Sequence, residues 1–192
     1  ADLYITQDKI SEAADVYEKI AREQEDSVFI QFNLGIIYTK LKDYDSAAKS
    51  FNKAIELSPD YIEAYLAVAV LYELQEKYQE AIETYNKVSG LQPDSISLHQ
   101  HLAALYDKIG NKDKVVEAYR KIIEIKPGRQ ESYLALSYVY VSQKKHPEAA
   151  AVLKEALKNG IETSEIYLML GIIYSGTEEK QQAADYYSKA VE

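Results

Sequence analysis

The chain has 192 residues, a net charge of −9 at neutral pH and no cysteine. The acidic balance argues against nucleic acid, which needs a basic stripe to neutralise phosphates. The lack of cysteine excludes a disulfide framework and thiolate chemistry and leaves the redox compartment open. Apolar residues make up 47%, enough for a sizeable core, but the longest purely apolar run, Ala64 to Tyr72, is far too short to cross a bilayer.

A tyrosine returns at a constant spacing of 34: Tyr4, Tyr38, Tyr72, Tyr106, Tyr140 and Tyr174. A fixed period of this length marks a stacked-repeat architecture. With Val28 as slot 1, Ala1 falls in slot 8, so residues 1–27 read as a truncated first repeat and the chain as a piece of a longer array. Full repeats follow at 28–61, 62–95, 96–129 and 130–163, and an incomplete one at 164–192, all in a single array.

Each repeat predicts two helices. Slots 4, 8 and 11 form an i, i+4, i+7 set, one face of a helix; slots 20, 24 and 27 form a second. The truncated repeat retains its second helix, from Lys9 to Arg22. Polar breaks such as Lys42-Asp43 and Gly110-Asn111 separate the two helices of later repeats. Pro59, Pro93 and Pro127 end second helices, because proline lacks the donor and disfavours helix at the preceding residue. In repeat five Asn159-Gly160 takes that role as a left-handed cap. Asp60, Asp94 and Ser95 are expected to cap the following helices. The last helix, Gln181 to Glu192, is expected to expose Ala183 and Tyr187 and to fray or associate end to end.

Slot 8 is always small: Gly35, Ala69, Ala103, Ser137, Gly171. Slot 24 is large: Tyr17, Phe51, Tyr85, Tyr119, Leu153, Tyr187. Small against large is what a close helical hairpin requires. Most of the 18 tyrosines fall in such core slots, so they read as packing.

Catalytic motifs are missing. There is no G-x-S-x-G, no H-E-x-x-H and no phosphate-cradling glycine loop. His99 and His101 point about 200° apart on a helix and cannot share a metal. His146 reads as a packing or rim residue. Carboxylates mostly alternate with lysine on solvated faces, as in Glu76-Lys77. No enzyme, metal or cofactor is expected.

These recurring small, large and proline slots resemble the tetratricopeptide repeat family over nearly the whole chain. The resemblance implies an all-α fold: a right-handed superhelical solenoid of antiparallel helix-turn-helix repeats, with the first helices lining a concave groove. The family's large residue at slot 4 varies here, as Gln31, Tyr65, His99, Tyr133 and Tyr167.

Slots 2, 5, 9 and 12 point about 150° from the packing face and should line that groove. They are unusually apolar for an outer face. The candidate binding residues are Phe29, Phe32, Asn33 and Ile36 in repeat two, and Glu63, Leu66, Val70 and Glu73 in repeat three. Gln100 and Asp107 follow in repeat four, Glu131, Leu134 and Tyr138 in repeat five, and Leu168 and Ile172 in repeat six. Leu66 and Leu134 are the ones most open to being filled by neighbouring helices. Some family members hold acidic chaperone tails through a clamp with lysine at slot 5 and asparagine at slot 9. Slot 9 here carries Ile36, Val70, Ala104, Tyr138 and Ile172, and no slot 2 residue is basic, so that clamp is absent. An asparagine ladder at slot 6 is also absent beyond Asn33.

The expected function is a non-enzymatic scaffold holding a protein or peptide segment, apolar with basic flanks, in the groove. Self-assembly through open ends and service as the regulatory arm of a larger enzyme are the alternatives. Nothing in the sequence selects a compartment; cytoplasm and periplasm are equally compatible.

Overall fold

The computed structural model describes residues 10–191. Ala1, Tyr4, Lys9 and Glu192, to which the repeat pattern assigns slots, lie outside the described residues. Among these residues the chain forms helices and no strands. In order they are α1 (Ile10–Glu23), α2 (Val28–Lys40), α3 (Tyr44–Leu57), α4 (Ile62–Leu74), α5 (Tyr78–Leu91), α6 (Ile96–Lys108), α7 (Lys112–Ile125), α8 (Gln130–Ser142), α9 (His146–Lys158), α10 (Ser164–Ser175) and α11 (Lys180–Val191). First helices begin on slot 1 and second helices on slot 17, as the helix starts at Val28, Ile62, Ile96 and Gln130, and at Tyr44, Tyr78, Lys112 and His146 show.

The chain falls into two compact units, 1–93 and 94–192. In the first, α1 to α5 pack in succession, and the first helices α2 and α4 also touch. In the second, α6 to α11 pack in succession, and α8 touches α10. Each unit therefore builds its core by stacking hairpins on neighbours.

The turns inside the α2–α3, α4–α5, α6–α7 and α8–α9 hairpins share one design. Lys42, Glu76, Gly110 and Lys144 all have φ near +60 to +76°, the left-handed region. Around each, two backbone bonds close the preceding helix: Asp43 N–H donates to the Tyr38 carbonyl at 2.9 Å and Lys42 N–H to Thr39 at 3.0 Å, and the same pair recurs at Lys77 and Glu76. This double closure satisfies carbonyls that the helix end would orphan. The recurrent slot 11 tyrosine supplies the deeper of those carbonyls. Gly160, at φ +78°, closes α9 in the same way, with Ile161 N–H on the Ala156 carbonyl at 3.0 Å, as the Asn159-Gly160 pair predicts.

Elsewhere second helices end before proline. Ser58, Gln92 and Lys126 are extended, with φ between −132 and −141°, each directly before Pro59, Pro93 or Pro127. The expected caps are corrected by one residue. Tyr61 and Ser95 occupy the N-cap positions of α4 and α6, and neither makes a side-chain cap bond. The Asp60 carboxylate instead accepts the Ser58 hydroxyl at 2.8 Å, and the Ser95 hydroxyl pairs with that of Ser97 at 3.2 Å. The side chains that do cap are Ser27, Asp43, Asn111 and Thr163, each accepting an N–H three residues on. The Ser46 bonds hold the Asp43 carboxyl below the usual carboxylate range.

Small-against-large packing is present in both units. Gly35 and Phe51 are buried together, as are Ala69 with Tyr85 and Ser137 with Leu153. At the last hairpin a second correction applies. Ala183 is buried, and the Tyr187 ring lies where a Gly171 side chain would begin, within 2.7 Å of an ideal Cβ there. The small face of α11 is thus covered by α10, and part of the Tyr187 ring stays exposed.

Two tyrosine hydroxyls tie helices to carboxylates: Tyr38 to Glu18 and Tyr85 to Glu73, each at 2.7 Å. Burial, then the hydrogen bond to Glu18, pushes Tyr38 from the ordinary value of 10.0 up to about 12. Burial and the Glu73 bond raise Tyr85 as well. A raised folded-state value means the native chain keeps a proton that the unfolded chain releases. The stabilisation is complete below the unfolded value and is lost as pH climbs from 10.0 towards 12. Tyr38→Phe should therefore be less stable than the parent at pH 8. In urea melts that gap should narrow steadily above pH 10; a constant gap would show that the hydroxyl bond contributes nothing.

Candidate functional site

In the first unit, α2 and α4 lie side by side and present their outer slots together. An apolar cleft of about 390 Å³ opens between them. Its walls are Ile36, Thr39 and Lys40 from α2 and Leu66, Ala67 and Val70 from α4, and the Phe51 ring reaches it from α3. Three predicted residues, Ile36, Leu66 and Val70, thus converge on one feature. Ile36 and Leu66 are half-buried, while Val70 is 45% exposed. Phe29, about two turns before Ile36 on α2, is 64% exposed.

Phe32 does something else. Its ring packs at 5.5 Å from Phe51 and edge-on at 5.1 Å from Tyr61, so it joins the connection between successive repeats to the core. Asn33 donates its side-chain amide to the Phe29 carbonyl of its own helix at 2.8 Å. Neither side chain is presented freely to a partner.

The acidic edge is largely engaged within the protein. Glu73 accepts the Tyr85 hydroxyl, Asp107 forms an ion pair with Lys112, and Glu131 lies 3.5 Å from Arg129. Glu63 is exposed at the start of α4. The lysine missed by the slot analysis is Lys40. It is exposed at the end of α2 and is the charged residue that lines the apolar cleft.

In the second unit, Tyr138 on α8 is 62% exposed, and Leu168 and Ile172 on α10 are exposed too. Leu134 is half-buried against the core. Gln100 stands exposed on α6. A cleft of about 370 Å³ between α6, α7 and α8 brings Asp107 and Tyr138 together with Ala104 and Ala135. The Asp107–Lys112 pair lines it, so it is more polar than its counterpart on α2 and α4.

A larger cleft of about 690 Å³ lies across α1, α2 and α3, lined by Glu18, Arg22, Gln31, Lys49 and Glu56 among others. Its walls come mostly from second helices, whose outer slots look like ordinary solvated faces in the sequence. Its floor is closed by the Tyr38–Glu18 bond and its charges are of both signs. Among the described residues no cluster of three His, Asp or Glu groups is placed to hold a metal ion. His99 is buried in α6. Among the described residues no helix is long and apolar enough to cross a membrane.

Stacked antiparallel hairpins with a small–large lock and exposed apolar first helices define a helical-repeat scaffold of the interaction type. The chain belongs to the tetratricopeptide repeat family, whose profiles match residues 26–94, 96–129 and 134–192. No curated protein matches it. Solved structures do. MamA aligns with a TM-score of 0.59 at 22% identity, over 85% of this chain and 90% of that one. YrrB, described as a TPR protein with an unusual peptide-binding site, aligns at 0.59 with 17% identity over 93% and 92%. The Naa15/Naa10 complex bound to HypK-THB aligns at 0.75 with 15% identity, covering 98% of this chain and 30% of that one. At these identities the likeness shows the fold.

Proposed function

We propose that the protein is a non-catalytic scaffold that holds an apolar segment of a partner protein against its first helices, with basic flanks of that segment meeting exposed carboxylates such as Glu63. The observation that carries this reading is the apolar cleft between α2 and α4, continued by the exposed ring of Phe29. A peptide-binding relative of the same fold, YrrB, is consistent with it. Covering Phe29 and Val70 with the open parts of Ile36 and Leu66 contributes on the order of 5 kcal/mol, at about 1.5–3 kcal/mol for each side chain fully buried. Association itself costs roughly 4–15 kcal/mol. The partner's own buried side chains and charge pairing must supply the rest, so the surplus is modest and the expected affinity is about micromolar. Binding to the acidic groups should weaken with salt.

The test is the double change Ile36→Lys with Val70→Lys, measured by calorimetry against a partner recovered by pull-down. Circular dichroism should keep its helical signal, because Val70 is exposed and a lysine stem at Ile36 can lie along the cleft with its amine in water. Affinity should fall by about tenfold or more. Val70→Lys alone, which leaves Ile36 in place, guards against a folding defect. Unchanged binding by a folded variant would move the site away from α2 and α4.

A further inference from the structure

We infer that the segment seated in the α2–α4 cleft carries an acidic residue beside its apolar anchor, read by Lys40. This rests on the reading that the cleft holds a partner's side chain, and it adds which charge must accompany that side chain.

Lys40 follows Ile36 by one turn, so both side chains lie on the same face of α2. The cleft they share is otherwise lined by Thr39 and by apolar groups, and its surface is almost wholly apolar, so Lys40 lines it with its stem and carries its ammonium group past the edge into solvent. Among the described residues Lys40 makes no ion pair, whereas the carboxylate nearest in slot terms, Glu73, is taken by the Tyr85 hydroxyl. A partner segment that fills the cleft and runs on past its edge meets this ammonium group. A carboxylate next to the anchor then makes a charge-assisted bond, where a residue of the same sign is repelled.

The other end of the same face has the opposite sign. Glu63 lies near the start of α4, about 16 Å along the helix axis from the level of Lys40, at about 1.5 Å per residue. An open carboxylate thus marks one end of the face, while at the other end the exposed charge is the ammonium of Lys40, the half-buried Glu73 carboxylate there being hydrogen-bonded by Tyr85. A bound segment with basic residues at one end and an acidic residue by its anchor would be held in one direction only.

The experiment pans a random-peptide phage library on the immobilised whole chain, on Lys40→Glu and on Val70→Lys. Lys49→Glu on α3, which makes the same charge change away from the cleft, is the control. Enriched peptides are then synthesised and titrated by fluorescence anisotropy. The expected result is enrichment of bulky aliphatic residues close to Asp or Glu. Those peptides should lose about tenfold or more in affinity for Lys40→Glu, keep it for Lys49→Glu and fail on Val70→Lys. Panning on Lys40→Glu should switch the flanking preference to Lys or Arg. Peptides that need Val70 but show no acidic preference, and bind the parent and Lys40→Glu alike, would overturn the role of Lys40 and leave the apolar cleft standing. Peptides indifferent to Val70, or no enrichment at all, would overturn the cleft reading and this inference with it.

Discussion

Gly35→Ala should destabilise the first unit by about 1–3 kcal/mol, although alanine is the better helix former. The reason is the Phe51 ring. An ideal Cβ on Gly35 would overlap three atoms of that ring. Phe51 is 2% exposed, and it also packs against Phe32, so it has little room to move. Ala69 and Ala103 fill the same slot beside Tyr85 and Tyr119, which shows that the fold itself accepts a methyl group there. The clash belongs to this pair of residues. A double-mutant cycle isolates it: in a Phe51→Leu background, Gly35→Ala should cost less than about 1 kcal/mol, because the ring is gone. Gly171→Ala meets the Tyr187 ring in the same way, but Tyr187 is 36% exposed and can swing outward, so its cost should be smaller. Equal losses at Gly35 and Gly171 in urea melts, or additive energies in the cycle, would contradict this account.

That lock was legible from the sequence because both partners sit in fixed slots and recur through the chain. The helix ends were legible for the same reason where proline marks them. The capping residues were misread by one place. Asp60 and Asp94 look like caps by residue type, but the helix starts at slot 1, which leaves the N-cap to Tyr61 and Ser95. Side-chain oxygen near a helix start is a weak signal when two or three candidates are adjacent.

The site was legible in part. Val70, Tyr138, Leu168 and Ile172 do stand exposed on first helices, because the angle between slots follows from helix geometry alone. Phe32 is different because its contacts come from Phe51 and Tyr61, on other segments of the repeat. The partners of the acidic edge were hidden for a similar reason: Tyr85 and Lys112 reach Glu73 and Asp107 from second helices. A face drawn from one helix contains no information about side chains arriving from its neighbours. Lys40 was passed over because it occupies slot 13, one place beyond the stripe used to define the groove.

The left-handed turn residues lead to the other large effect, a gain. Three of the four left-handed hairpin turns place an ordinary residue at positive φ: Lys42 at 60°, Glu76 at 58° and Lys144 at 61°. For an L-residue with a Cβ that conformation costs roughly 1–2 kcal/mol. Glycine removes the cost but loses about 0.5–1 kcal/mol more backbone entropy on folding. The net gain expected for Lys42→Gly, Glu76→Gly or Lys144→Gly is therefore about 0.5–1 kcal/mol each. All three side chains are exposed, and no ion pair of theirs among the described residues is given up. Because the sites lie in separate turns, the gains should add, to about 2 kcal/mol in the triple variant. Gly110 is the internal control. It occupies the same slot at φ +76°, and a Cβ there meets open space, so Gly110→Lys should lose stability through backbone strain alone. The measurement is a set of urea melts with constant slope, in which the midpoint rises with each glycine added and falls for Gly110→Lys. A midpoint that falls for the three glycine variants would mean that the two backbone bonds flanking each turn hold lysine and glutamate there without strain.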